Sequence, residues 1–334
     1  NNARVFSDLK LRAGWGQTGN QEISNTAVYS LYLASYAGGS PTWATSFGTA
    51  YDIAGNGNGL LPSGFIATQS GNDDLKWETT TQTNIGLDFG LFKQKLSGSV
   101  DYYIKKTDDI LVLPPYLGVI GEGGNRWVNG ASMENKGWEF VLRTDNSFGD
   151  LKWKASINAA TNVNKILNLQ GQVITGGFLN RAVEGQPLGV FVGPEYAGVD
   201  PANGDALYYK NTKNTDGSLD RATTNDVNQA EYVVIGNPNP KWIGGLTNEF
   251  SYKGVDFSFT FQGVYGNSVY NGAGKFMSAN GDFYDNQTVD QMNRWQKPGD
   301  VTDVPLLLTS NNDFNSQSTR FLFKNDYIRL KALN

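Results

Sequence analysis

Apolar and polar residues alternate one by one through eight stretches of this chain. In Val255–Gln262, the apolar Val255, Phe257, Phe259 and Phe261 share one face, and Asp256, Ser258, Thr260 and Gln262 share the other. Successive side chains of a strand point to opposite faces, so this alternation predicts a strand with one apolar and one polar face. The same period marks Leu9 to Trp15, Ile85 to Leu91, Leu96 to Ile104 and Trp138 to Leu142. It returns at Leu151 to Ala159, Trp242 to Tyr252 and Phe321 to Leu333. Shorter pieces at Tyr29–Leu33, Gly189–Val192 and Tyr232–Ile235 predict strand extensions inside the connections.

The connections alternate in length. Phe92–Lys95, Asn146–Asp150 and Lys253–Gly254 are short enough for tight hairpins, with Gly or Asn available for positive φ. The other links cover roughly 18–74, 107–134, 167–238 and 272–319, and loops of that length carry function or form lids. Minimal turns at one end of every hairpin and long loops at the other are the mark of a membrane β-barrel. The fold class that follows is all-β, an antiparallel transmembrane β-barrel.

The faces sharpen that expectation. Lys10, Arg12, Asp88, Asp101, Glu139, Arg143, Lys152, Lys154 and Glu249 fall on one face. That face cannot meet lipid, where a mid-plane Lys or Arg costs ~2–4 kcal/mol, so it must line the inside. Trp15, Tyr102, Trp138, Trp153, Trp242 and Tyr252 fall on the apolar face, mostly near strand ends, as an interfacial aromatic girdle requires. Two alternatives use the same alternation. A soluble or surface β-rich module for carbohydrate binding or adhesion would bury the apolar faces in a sandwich core. A free-standing eight-stranded barrel would have to pack its charged residues into a lumen that side chains just fill.

Composition narrows the function classes. Of 334 residues, 13% are aromatic, 40 are Gly and 11 Pro, which suits a chain rich in strands and turns. No apolar run approaches the ~18 residues of a spanning helix, whereas a barrel strand needs only ~9–11. The net charge of −5, without a basic stripe, argues against nucleic-acid binding. With neither cysteine nor histidine, no Ser-His, Cys-His or thiolate-zinc arrangement can be built. The first residues carry no charged and apolar leader pattern, and both ends read as cut from something longer.

Candidate chemistry is sparse. Asp73-Asp74 and Asp108-Asp109 sit at strand–loop junctions, where solvated carboxylates are the plain expectation. Gly121–Gly124 and Gly55–Gly59 lack the strand-to-helix context of a phosphate cradle. Thr212–Asp220 resembles a degenerate calcium loop: Asn214 and Asp216 are spaced as ligands, but no Glu closes the site, so no metal is expected. No catalytic set and no cofactor is expected. For capture of a sugar or peptide, the outer loops offer the aromatic and amide residues Trp43, Tyr51, Tyr116, Asn125, Arg126, Trp127, Tyr284 and Trp295. Asn125-Arg126-Trp127 is the foremost cluster; the plain alternative is that Trp127 anchors its loop.

Five segments carry a family resemblance. They are Leu9-Lys-Leu-Arg-Ala-Gly-Trp-Gly-Gln-Thr-Gly-Asn-Gln21, Leu75-Lys-Trp-Glu-Thr-Thr-Thr-Gln-Thr-Asn-Ile-Gly-Leu-Asp-Phe-Gly90 and Met133-Glu-Asn-Lys-Gly-Trp-Glu-Phe140, with Glu184-Gly-Gln-Pro-Leu-Gly189 and Ile235-Gly-Asn-Pro-Asn-Pro-Lys-Trp242. In this order they resemble the SusC/RagA family of TonB-dependent outer-membrane transporters of Bacteroidetes. The resemblance implies that residues 1–334 are part of a barrel domain of about 22 strands, without its plug, N-terminal regions and last strands. It places the short turns in the periplasm and the long loops outside the cell. It further implies active import of a large nutrient, an oligosaccharide or a peptide. The implied partners are a SusD-like surface lipoprotein, the TonB–ExbB–ExbD complex reached through the plug region, and the lipid bilayer.

Overall fold

A computed structural model describes residues 5–35, 64–114, 126–278, 286–307 and 317–334. Eight long strands form one antiparallel path in chain order: β1 (Phe6–Asn20), β2 (Glu78–Leu91), β3 (Leu96–Val112), β4 (Val128–Phe148), β5 (Leu151–Ala160), β6 (Trp242–Tyr252), β7 (Val255–Tyr265) and β8 (Tyr327–Leu333). A ninth, Val163–Asn168, continues beside β4 where β5 stops. Among the described residues β1 pairs only with β2 and β8 only with β7, so the sheet is an open arc and not a closed eight-stranded barrel.

Register carries the two faces across the whole arc. Leu11, Leu87, Val100, Phe140, Ala159, Gly244, Gly263 and Ile328 stand opposite one another in turn, an unbroken row without a charge. One residue along, the corresponding row reads Lys10, Asp88, Ser99, Val141, Asn158, Gly245, Gln262 and Arg329. A slip of one residue in any strand would exchange the rows, so register and face pattern fix each other. The apolar row is uncovered, with Leu11 74% exposed and Ile328 81%. A sandwich core would need a second sheet over this face, and none covers it among the described residues.

Aromatic rings bound the apolar face at two heights. Tyr102, Trp138, Phe140 and Trp242 form a chain of ring contacts at 4.8, 6.1 and 6.5 Å toward the long-loop end. Trp153, Phe250 and Phe257 gather toward the short turns. Trp242 and Tyr252 open and close an 11-residue strand, as do Val255 and Tyr265. Ten steps of about 3.3 Å make ~33 Å along the strand, and a tilt of ~40° reduces this to ~25 Å, the height of an outer-membrane apolar band. β3, with 17 residues, and β4, with 21, outrun that band and rise into the loops. Among the described residues no helix is long and apolar enough to cross a membrane.

The short turns differ in how they reverse the chain. Lys253 and Gly254 have φ of 47° and 88°, the two left-handed positions of a type I′ turn. Gly149, φ 61°, takes the strained position between Phe148 and Leu151. The β2–β3 turn departs from the expectation of Gly or Asn: Phe92, Lys93 and Gln94 are left-handed in succession, at 52°, 60° and 66°. Their cost is offset by β1 and the residue before it, since Phe92 N–H donates to Val5 O at 2.9 Å and Gln94 N–H to Ser7 Oγ at 3.2 Å. The last predicted strand also divides. Leu322–Lys324 pairs with Ser268–Tyr270 outside the wall. Asp326 then accepts the Gly266 N–H at 2.5 Å, and β8 starts afresh at Tyr327.

Candidate functional site on the inner wall and outer loops

The charged residues read as inward do share one face, and some are joined there. Arg12 reaches across the pairing to β2 and β3. Its Nε and one terminal nitrogen donate to Asp88 at 2.8 Å each, and the same terminal nitrogen lies 2.8 Å from Asp101. Gly86 makes this possible: a Cβ there would lie 2.1 Å from the Asp101 carboxylate and 2.9 Å from the guanidinium carbon. Above it, toward the loops, a recess of about 370 Å³ is lined by Gln82, Asn84, Tyr103, Lys105 and Glu139.

The wall passes into the outer loops through a kink. Glu139 pairs with Ala160 and Lys136 with Val163, so β4 keeps one register across the break at Thr161-Asn162. Thr161 N–H donates to Trp138 O at 2.8 Å, and Trp138 N–H donates to Thr161 Oγ1 at 3.0 Å. Gly137 gives the room: a Cβ would lie 2.0 Å from the Thr161 carbonyl oxygen. Tyr103 OH donates to Asn162 and the Asn164 amide to Asn135, so the kink faces the lumen with a polar network.

Beyond the kink the loops are folded, with small cores of their own. Ala206, Tyr208 and Ala230 pack with Tyr196, Val227 and Leu306; Ile166, Leu169 and Ala182 form a second cluster. The short strands 190–193 and 233–236, read as extensions, pair with each other. Arg221 grips Glu195 with two nitrogens at 2.7 and 2.9 Å and lies 3.7 Å from the Tyr209 ring centre. That guanidinium holds the Glu195 carboxyl below its ordinary range. Burial raises the Tyr196 phenol, whose hydroxyl donates to Asp303 O at 2.9 Å, and pushes Tyr270 up to about 12.

The capture residues read from the sequence do not form one described site. Trp43, Tyr51, Tyr116, Asn125 and Tyr284 lie outside the described residues, as do both Gly-rich stretches. Arg126 and Trp127 are tied to the first long loop through Asn72, which donates to Trp127 O at 2.8 Å and accepts from Arg126 at 3.4 Å. Trp295 is 7% exposed, donates its indole N–H to Pro201 O at 3.1 Å and packs on Gly204, so it is enclosed within the loop fold. Asn214 and Asp216 belong to a self-capped turn. Asp216 accepts from Ser218 N–H and hydroxyl at 2.8 and 2.6 Å, which lowers its pKa, and Asn214 donates to Ser218 Oγ. No cluster of three His, Cys, Asp or Glu converges among the described residues. The sequence reading missed the inner-wall recess, although its signal was present in the polar half of the alternation on β2–β4.

A sheet that is apolar and ring-belted outside, charged inside and crowned by folded loops on one edge is a segment of membrane β-barrel wall. Residues 4–188 match the family model described as TonB dependent receptor-like, beta-barrel. TonB-dependent receptor P26 of Formosa agariphila is 30% identical over 99% of this chain and 33% of that protein. TonB-dependent receptor SusC of Bacteroides thetaiotaomicron is 32% identical over 80% of this chain and 26% of that protein. A solved structure of the RagAB peptide transporter superposes with a TM-score of 0.78 at 27% identity, over 99% of this chain and 34% of that one. The chain spans between about a quarter and a third of the length of these relatives. It belongs to the TonB-dependent receptor family, of SusC/RagA type, and its place is the bacterial outer membrane.

Proposed function

We propose that residues 1–334 are part of the barrel domain of an outer-membrane importer energised through TonB, for a nutrient too large for porins. What carries the reading is the unbroken separation of faces over eight registered strands, with a polar inner wall leading up to folded outer loops. A sealed apolar exterior and a hydrated interior are what a passage requires. Cargo is an oligosaccharide or a peptide, held between the outer loops and a SusD-like surface lipoprotein. The TonB–ExbB–ExbD complex then acts on the plug of the whole protein. The RagAB neighbour is a peptide importer, which supports the peptide branch.

Deletion of the gene tests this reading. The deletion strain should lose growth on one defined glycan or peptide source and regain it with the full-length gene, but not in a strain lacking TonB. Unchanged growth on every source, or rescue without TonB, would refute active import.

A further inference from the structure

We propose that the recess on the inner wall between β1 and β4 is a subsite for a short zwitterionic peptide, with the carboxylate end toward the cell surface. This rests on the import reading and names its cargo class. Three strand registers build the recess. Glu139 stands opposite Asp101 beside the fixed Arg12, and Tyr103 stands opposite Asn84. Lys105 stands opposite Gln82, two steps nearer the mouth than Tyr103. The floor toward β1 is open because its inward positions are Gly14 and Gly16, where a Cβ would meet nothing within 4 Å.

The polar capacity of this recess is unevenly spent. Arg12 is matched by two carboxylates, and Tyr103 donates to Asn162. Gln82 donates to Asn84 Oδ1 at 3.0 Å, leaving the Asn84 amide N–H groups and the Gln82 carbonyl oxygen without a partner among the described residues. The side chains of Glu139 and Lys105 also line the recess, are exposed on it, and are joined by no hydrogen bond or ion pair to another described residue. The two charges differ in height by four residues, since Lys105 pairs with Asn135 on the strand that carries Glu139. Four steps are about 13 Å, the span of an extended peptide of about four residues.

A peptide with free ends would place its carboxylate at Lys105, its ammonium at Glu139 and its backbone amides against Gln82 and Asn84. Charge-assisted hydrogen bonds would then form at both ends. A neutral oligosaccharide offers neither an ammonium nor a carboxylate, so neither charge-assisted contact would form.

The test uses purified full-length protein and a soluble tetrapeptide, its N-acetylated form, its C-amidated form and a neutral tetrasaccharide, with affinity read by calorimetry. Acetylation or amidation should each weaken binding by about tenfold. Glu139→Gln should weaken the free peptide by a similar factor while leaving the acetylated form unchanged, and Lys105→Gln should do the same for the amidated form. Retention of the heat-modifiable band shows that both variants fold. Equal binding of all peptide forms, a uniform loss for every ligand, or tetrasaccharide binding that falls in both variants would overturn the assignment. Occupation of the recess by the protein's own plug gives the first of these results. Uptake of peptides without end-group preference would refute the recess alone, whereas no uptake at all would refute import.

Discussion

Gly137→Ala should destabilise the wall where it passes into the outer loops. The new Cβ would start 2.0 Å from the Thr161 carbonyl oxygen and 2.9 Å from the Tyr103 hydroxyl. The first neighbour is backbone, so it cannot rotate away; ordinary contact requires a shift of more than 1 Å. That shift strains the two hydrogen bonds between Trp138 and Thr161 and the one from Tyr103 to Asn162. At about 0.5–1.5 kcal/mol each the loss is ~1.5–4.5 kcal/mol, reduced by ~0.5–1 kcal/mol because Ala loses less chain entropy than Gly in a strand. Net destabilisation is then about 0.5–4 kcal/mol. Gly14→Ala is the control, since its Cβ meets nothing and only the entropy gain of ~0.5–1 kcal/mol remains. The assay is urea unfolding of full-length protein in detergent, followed by tryptophan emission and the heat-modifiable band, with limited proteolysis of the outer loops in parallel. Should Gly137→Ala unfold at the same urea concentration as Gly14→Ala, the kink does not depend on a bare α-carbon and the reasoning fails.

Lys93→Gly should stabilise the β2–β3 turn by about 0.5–1 kcal/mol, because a left-handed L-residue costs ~1–2 kcal/mol and Gly does not; a lower unfolding midpoint would contradict it. Trp295→Ala removes a buried ring and its bond to Pro201, and should cost the loop fold about 3–5 kcal/mol. Proteolysis of residues 196–307 should then accelerate while the strands stay protected. Glu195 has a folded pKa below its ordinary 4.5 through Arg221, so its stabilisation is present above pH 4.5 and is lost as pH falls through the lowered value. Loop protection should therefore be flat from pH 7 to 5 and decline further down. Glu195→Gln should remove that decline, and an unchanged profile would show that another group controls it.

The wall was legible in the sequence because one rule, a period of two with one face in lipid, acts on every strand at once. All eight strands, both faces and the short-turn end follow from it. The exceptions are local bargains between neighbours. Phe92–Gln94 bends without Gly because β1 holds the turn, and Leu322–Lys324 leaves the wall because Asp326 is engaged by Gly266. The loops obey no such period. Trp295 has the composition of a capture residue, yet Gly204 and Pro201, more than ninety positions earlier, enclose it. The recess was hidden for a different reason: of Gln82, Asn84, Tyr103, Lys105 and Glu139 only Glu139 was read as facing inward, and which of these groups remain unmatched depends on where Arg12 and Tyr103 spend their hydrogen bonds.

The spacing between the two aromatic belts also acts as an address. A wall of ~25 Å fits the thin bacterial outer membrane but falls about 5 Å short of a typical ~30 Å hydrocarbon core. In a thicker bilayer every strand of the arc would carry its share of that mismatch, at fractions of a kcal/mol per Å. The distance from Trp242 to Tyr252 thus discriminates between the two membranes of the cell by thickness alone, before any loop meets a ligand.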